Sequence, residues 1–213
     1  MSKRMLVVAG LVVLVGVAAG AAVVASRDAE DRSCERGGLE RDSGDGKLVV
    51  VRRDLPDQGS IIDRARYYAC DTASGRRVEL DEVVSNEGDI ESTATFSVVA
   101  DRWVVQQVDS TGPEIDSSTS SPVIILRDGR TGDWLHDNQS CEEEMTGYKV
   151  LSSGHLAVAC DRLLLYAPAD GPGEKLAPPG AEVRDLSVDE DGRTLRWTER
   201  RDGERVDESH RVD

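Results

Sequence analysis

The most constraining feature of this sequence is a run of 21 residues, 5–25, that contains neither a charged residue nor a proline. As an α-helix this run would be about 31 Å long, enough to cross the hydrocarbon core of a bilayer. Lys3 and Arg4 precede it, and basic residues beside a membrane helix stay on the cytoplasmic side. The sequence therefore predicts a transmembrane anchor at 5–25, with residues 1–4 in the cytoplasm and the rest of the chain outside.

A cleaved signal peptide is the alternative interpretation of the same segment. The residues 23–25, Val-Val-Ala, are short enough for a signal peptidase, but the apolar core of a signal peptide usually runs for about 7–15 residues. We therefore prefer the retained anchor, and cleavage would leave the same domain secreted. Gly16 and Gly20 form a GxxxG pattern, which would allow two such helices to pack closely and dimerise.

The charge of the chain excludes one class of partner. Its 213 residues include 41 acidic and 26 basic ones, a formal net charge of −15. Because a nucleic-acid-binding protein needs a basic face to neutralise phosphates, no nucleic-acid partner is expected. The expected partners are the membrane, through the single helix, and a protein or ligand outside it. Aromatic residues make up only 4%, so we expect a core of valine, leucine, isoleucine and alanine.

The cysteines agree with export to an oxidising compartment, where an even number of them indicates disulfides. The chain contains four: Cys34, Cys70, Cys141 and Cys160. Three pairings are possible, and we expect the nearest-neighbour pairing, Cys34–Cys70 with Cys141–Cys160, which closes two moderate loops. Since no C-x-x-C motif occurs and the three histidines are not at ligand spacing, no zinc site is predicted.

After the apolar run the composition changes at residue 47. Residues 26–46 are charged and glycine-rich, which predicts a flexible linker, and residues 47–213 form the predicted domain. Short runs rich in valine, isoleucine, tyrosine and tryptophan alternate there with turn residues, which is typical of an all-β protein. A sandwich, a barrel and a propeller are the alternatives. The predicted strands are 48–52, 66–70, 77–80, 95–99, 103–108, 123–126, 149–151, 156–160, 163–166, 183–188 and 194–198.

Internal repeats favour the propeller among these folds. The segments 68–78 and 125–135 each end a strand in Asp-x-x-(Ser/Thr)-Gly, and 98–105 and 158–165 each hold an Asp-Arg turn between two apolar runs. Aspartate accepts hydrogen bonds from the following amides, and glycine supplies the positive φ that closes such a turn. One four-stranded repeat cannot bury both of its faces, so successive sheets must stack. The repeat-turn residues are Asp71, Gly75, Asp128, Thr131, Gly132, Asp161 and Gly192, with a degenerate copy at 169–171.

The strand–Asp-x-x-(Thr/Ser)-Gly–strand pattern resembles the repeat of quinoprotein-like β-propellers. In that family an alanine precedes the aspartate by two places, as Ala69 does here, and a tryptophan four places after the glycine docks one blade on the next. Glu79 and His136 occupy the two tryptophan places, and Trp134 lies two places early. The resemblance implies three or four antiparallel four-stranded blades, in a ring, an open partial propeller or a curved stack. No quinone-binding residue can be matched, so no quinone is implied.

Catalytic motifs were not found in the sequence. It has no Gly-x-Ser-x-Gly elbow, no HExxH and no phosphate-binding glycine loop. Ser152, Ser153 and His155 lie close in sequence, which favours a hairpin turn over a catalytic pair. Asp189 and Asp191 are candidates for a Ca²⁺ site, with an ordinary surface hairpin as the alternative. No cofactor and no enzyme activity are therefore expected.

Together these features predict a membrane-anchored binding or interaction module outside the cytoplasm. A quinoprotein-like enzyme or redox subunit is one alternative. A sensory or structural ectodomain, dimerised through its transmembrane helix, is the other.

Overall fold

A computed structural model describes residues 34–58, 61–87, 90–112, 122–138, 145–169, 171–201 and 203–213. The predicted membrane segment 5–25 and the predicted cytoplasmic residues 1–4 lie outside these ranges. Within them, no helix is long and apolar enough to cross a membrane. The strands are β1 (Glu40–Ser43), β2 (Leu48–Leu55), β3 (Ile61–Asp71), β4 (Arg77–Glu87), β5 (Ile90–Val99), β6 (Trp103–Thr111), β7 (Val123–Asp128), β8 (Trp134–Asp137), β9 (Gly147–Val150), β10 (Leu156–Ala159), β11 (Leu163–Tyr166), β12 (Glu174–Lys175), β13 (Glu182–Val188), β14 (Thr194–Arg201) and β15 (Glu204–Arg211).

The all-β, antiparallel class predicted from the sequence is confirmed, and each of the predicted strands coincides with an observed one. Four further strands, β1, β8, β12 and β15, were missed. The predicted linker boundary is wrong at its end, because β1 lies inside residues 26–46 and pairs with β2. Leu39, just before it, is only 4% exposed. Within the described residues, the folded part of the chain therefore begins at Cys34 and not at residue 47.

Four successive sheets organise the strands. Strands β1 to β8 form one continuous meander, but β4 and β5 are paired only at Asn86–Glu91 and Glu87–Ile90. The meander therefore divides into two four-stranded halves, sheet one (β1–β4) and sheet two (β5–β8). Sheet three has the order β12-β11-β10-β9, and sheet four has the order β13-β14-β15.

Hydrophobic side chains join each sheet to the next. Tyr67 of sheet one stacks on Phe96 of sheet two, with ring centroids 4.3 Å apart. Sheets two and three share a second cluster, in which Trp103 and Leu126 pack with Leu156. Sheets three and four share a third, built around residues such as Leu163, Leu165, Leu195 and Trp197. Three apolar layers of this kind hold the four sheets in sequence order.

The number of buried faces explains the sequence pattern of each strand. Strand β10 reads Leu-Ala-Val-Ala and β11 reads Leu-Leu-Leu-Tyr, with every residue buried, because sheet three is covered by a neighbour on both faces. Strand β14 instead alternates, with Leu195 and Trp197 buried against sheet three and Arg196 exposed between them. Alternation of this kind marks a sheet with one solvated face.

The two ends of the stack differ. The outer face of sheet one is covered by the segment around Cys34 and Leu39, which packs on Val49 and Val51. The disulfide Cys34–Cys70 holds this segment in place, with both cysteines fully buried. No hydrophobic cluster of the described residues joins sheet four to sheet one, so these residues do not show a closed ring.

Polar contacts also link the sheets, through the hairpin turns that join the first and second strands of each sheet. The Lys47 amide donates to Asp101 Oδ1 (2.9 Å), which connects sheet one to sheet two. Trp103 Nε1 donates to the Ser152 carbonyl (2.9 Å), and the Ser152 amide donates to the Gly192 carbonyl (2.8 Å). These bonds continue the connection through sheet three to sheet four.

The disulfide yields the first prediction. Replacing both Cys34 and Cys70 by alanine releases a 36-residue loop, and the loop entropy regained by the unfolded chain corresponds to about 4 kcal/mol. Urea unfolding should therefore show a loss of about this size. A loss below about 1 kcal/mol would contradict this entropic contribution of the bridge.

The turn contacts yield the second prediction. Gly154 has a φ of +87° and its missing Cβ would point into the Trp103 ring, whereas Gly180 has a φ of +79° with no atom within 4 Å of that position. Gly180→Ala should cost only the backbone strain, about 1–2 kcal/mol. Gly154→Ala should cost about 1–3 kcal/mol more through overpacking, as measured by urea unfolding. Equal losses would contradict the docking of Trp103 on this turn.

Candidate binding surface on the last sheet

Two of the repeat turns predicted from the sequence are structurally equivalent. In each the glycine amide donates to the aspartate carbonyl at 2.7 Å, Gly75 to Asp71 and Gly132 to Asp128. Each aspartate side chain accepts from the amide two residues later, and both glycines have a positive φ. Both turns join the third and fourth strands of their sheet, so this part of the repeat has a structural basis.

The second predicted repeat does not match the strand order. Asp101 lies in the turn between β5 and β6, the first and second strands of sheet two. Asp161 lies between β10 and β11, the second and third strands of sheet three, and pairs with the neighbouring Arg162. In an antiparallel sheet, the turn between the first and second strands and the turn between the second and third lie at opposite ends of the strands. The sequence similarity of these segments therefore reflects tight-turn chemistry and not a shared position.

His136, which occupies the place of the docking tryptophan in the second repeat, does link two sheets. Its ring lies 5.2 Å from that of Tyr166 in sheet three, and its Nε2 bonds to the carbonyl of Ala167, which directly follows β11. Glu79, at the corresponding place in the first repeat, forms an ion pair with Arg66 at 3.7 Å. His136 therefore links sheets two and three, whereas the ion pair of Glu79 lies within sheet one.

The calcium candidates are engaged by arginines. Asp189 receives two hydrogen bonds from Arg196 (2.6 and 2.9 Å), which lower the pKa of its carboxyl. Asp191 accepts from the Arg193 amide (2.8 Å) and from Arg211 (2.9 Å). The described residues contain no group of three or more potential metal ligands. The geometry is that of a surface hairpin, the alternative stated from the sequence.

Ser153 and His155 are hydrogen-bonded, but within a turn. Ser153 Oγ lies 2.9 Å from His155 Nδ1, two residues along the chain between β9 and β10. Ser152 Oγ donates instead to the Gly192 carbonyl. A contact between such close neighbours stabilises a loop and does not require a reactive serine.

The cysteine predictions are confirmed in part. Cys34 and Cys70 form the expected bridge, and Cys160 is also disulfide-bonded. Cys141 lies outside the described residues, so the pairing of Cys141 with Cys160 stays a prediction.

A buried polar network between sheets one and two was not foreseen. Gln106 is 1% exposed and donates through Nε2 to Asp81 Oδ2 (2.7 Å). Arg127 donates to Gln106 Oε1 (3.3 Å) and also lies over the ring of Trp134. The network satisfies the polar groups of an interior arginine and glutamine, which is how a stack of sheets tolerates them.

The outer face of sheet four holds a polar cleft of about 320 Å³. Three arginines lie along it, one from each strand: Arg184 of β13, Arg200 of β14 and Arg205 of β15. The other residues that line it are Glu182, Asp185, Thr198 and Glu199.

A β-bulge shapes this cleft. The register of β13 against β14 shifts between Arg184 and Ser187, and Asp185 in the bulge has a φ of +53°. Its Oδ2 accepts from Thr198 Oγ1 (3.0 Å) and from Arg205 Nη2 (3.2 Å). Three arginines line this cleft, more than line the second cleft described below, which makes it the leading candidate site.

A second cleft, of about 510 Å³, lies on sheet one, near the end of β2 and the start of β3. Asp54, Asp57 and Asp63 lie around it with Arg52 and Arg64. Its arginines are already held, Arg52 by Asp54 (3.0 Å) and Arg64 by Glu82. It offers a ligand less unsatisfied charge than the cleft on sheet four.

Comparison with known proteins gives no identity. No family model matches the chain, and a search of the curated proteins found no significant match. The likeness to quinoprotein-like repeats therefore depends on the turn pattern alone.

The turn around His155 yields a prediction on pH. Burial, and secondarily the nearby His210, hold the pKa of His155 below its ordinary value, against the opposite effect of Glu174. The unfolded chain therefore takes up a proton at a higher pH than the folded protein does. Above about pH 6.5 the neutral ring contributes its full stability, and this contribution falls as the pH drops below that value.

His155→Gln removes this titration. The difference in unfolding free energy between wild type and His155→Gln, measured in urea from pH 7.5 to pH 5, should shrink as the pH falls. A difference that is constant, or that grows toward acid pH, would contradict the buried neutral ring.

Proposed function

We propose that this protein is a membrane-tethered binding module outside the cytoplasm, built from propeller-like sheets in an open series and acting by engaging a partner. The observation that carries the proposal is the contrast between the two ends of the stack. Sheet one is covered by the segment around Cys34 and Leu39, whereas no described residue covers the charged face of the last sheet and its polar cleft.

The first part of the chain supports the location. The uncharged run at 5–25 follows Lys3 and Arg4, which favours a single-pass anchor with the domain outside. The disulfide Cys34–Cys70 supports the same side of the membrane, because structural disulfides persist in oxidising compartments. On this proposal the chain enters the domain at sheet one and presents sheet four at the other end of the series.

The residues of the domain support binding over catalysis. The Ser153–His155 contact is local, and the carboxylates of Asp189 and Asp191 are neutralised by Arg196 and Arg211. The cleft on sheet four offers arginines for recognition and brings none of the three histidines to its wall. This arrangement suits recognition of charge.

Photo-crosslinking in cells tests the proposal. A benzophenone amino acid replaces Asp207, which lies opposite Thr198 on the outer face of sheet four and has an 81% exposed side chain. The matched control places it at Ala73, an exposed residue in a turn of sheet one. Position 207 should give a discrete adduct of higher mass, and position 73 should not. Adducts at both positions, or at neither, would contradict a binding role for this face.

A further inference from the structure

The point at which the chain enters the domain is fixed near one end of sheet one. Cys34 is bonded to Cys70, with the two Cα atoms 5.9 Å apart, and Cys70 lies one residue before the end of β3. Arg77 Nη2, at the start of β4, donates to the Arg36 carbonyl (2.9 Å), which holds the residues after Cys34 at the same place. The chain therefore enters beside the turn 72–76 that joins β3 to β4.

Short turns of sheets one and two form this end of the domain, which we call the turn end. They are 44–47, 72–76, 100–102 and 129–133. Hydrogen bonds join them in a row: the Thr72 amide donates to the Lys47 carbonyl (2.8 Å), and the Lys47 amide donates to Asp101 Oδ1 (2.9 Å). The Gly129 amide then donates to the Arg102 carbonyl (2.8 Å). Because these turns are short and linked, a flat surface can approach this end closely.

An exposed tryptophan lies at the same end. Trp134 is the first residue of β8, directly after the turn 129–133, and is 49% exposed. Among the residues that the structure describes, it is the one large hydrophobic side chain that is exposed. Tryptophan combines an apolar ring with a polar N–H group, and it is enriched at the headgroup level of membranes for that reason.

The length of chain before Cys34 limits how the domain can stand on a membrane. Eight residues, 26–33, separate the predicted anchor from Cys34, and this chain reaches about 30 Å only when fully extended. Strand β3 has 11 residues, so its far end at Ile61 lies about 30 Å from Cys70. Placing that far end on the membrane would use the whole reach of the chain, whereas placing the turn end there would use little of it.

We propose that the turn end lies against the outer surface of the membrane that holds the anchor, with Trp134 in the lipid headgroup layer. The inference rests on the anchor of the proposed function. A chain with a net charge of −15 is not drawn to an anionic surface, so the contact depends on the tether. A short tether keeps the turn end at a high effective concentration beside the lipid, and a weak contact is then sufficient.

This orientation leaves the cleft on sheet four open to a partner. The Ser152 amide donates to the Gly192 carbonyl (2.8 Å), so the turn between β13 and β14 lies on the side of the turn end. Glu182 begins β13, and Arg200 and Arg205 flank the turn between β14 and β15. The cleft that these three residues line therefore lies toward the opposite end of the strands, away from the membrane.

Tryptophan fluorescence in vesicles tests the orientation. The chain has three tryptophans, and Trp103 and Trp197 are at most 5% exposed, so contact with lipid is reported by Trp134. The full-length protein is reconstituted in vesicles of phosphatidylcholine brominated near the headgroup end of its acyl chains, and in unbrominated vesicles. Wild-type emission should fall in the brominated vesicles. Trp134→Phe, which keeps an aromatic ring beside Arg127, should show no such fall.

A matched control moves the tryptophan to the other end of sheet one. Asp57→Trp, combined with Trp134→Phe, places it at an exposed position between β2 and β3. The emission of this double variant should be the same in both kinds of vesicle. Quenching as strong as in wild type would overturn the orientation, and so would quenching that persists in Trp134→Phe alone.

Flotation of the same vesicles separates this inference from the proposed function. If the protein floats with the vesicles and its emission is not quenched, the anchor stands and the inference is overturned. If the protein does not float, the membrane-tethered function fails and the inference fails with it.

Discussion

Burial of both faces of the inner sheets is the constraint on which this structure depends. A single antiparallel sheet of short strands cannot bury enough apolar surface by itself, so each sheet needs a neighbour. Sheet three meets this need with strands that are apolar at every position, β10 and β11. The same constraint makes the ends of the series the places where the chain must do something different. The outer face of sheet one is covered by a segment that a disulfide holds in place. In sheet four, β14 alternates buried and exposed residues, so that its outer face is polar.

The end that is polar is also the end that carries the candidate site. The outer face of sheet four has a bulge, a positive φ at Asp185 and the opposed arginines Arg200 and Arg205. Those three features lie together in one cleft. On the proposed function, stability and recognition divide between the two faces of β14, with Leu195 and Trp197 packing inward and Arg196 and Arg200 facing out.

The fold could be predicted from the sequence wherever burial determines the residue type. Runs such as 48–51 and 163–166 identified inner strands, and the Asp-x-x-(Ser/Thr)-Gly turns identified hairpins at Gly75 and Gly132. Strand β15 was missed because Val206 is its single aliphatic residue, and β1 because it has none. Strands at a sheet edge form through backbone pairing with a neighbour, and this leaves little trace in their own residues.

The candidate site could not be predicted because it depends on register. Nothing in the sequence indicates that Arg200 faces Arg205, or that β13 bulges at Asp185. The turn at Asp161 shows the reverse error, in which similar residues suggested an equivalence that the strand order does not support. Local turn chemistry is visible along the chain, whereas contacts across strands require the assembled sheet.

The openness of sheet four is the central claim, and thiol labelling tests it most directly. Single cysteines replace Arg196, Thr198 and Arg200, which face outward from β14, and their labelling rates in the native full-length protein are compared with those in urea. The account predicts rates at these three positions within a fewfold of the unfolded rate, as for exposed side chains. Strong protection at all three would show that another sheet covers this face and that the series closes into a ring.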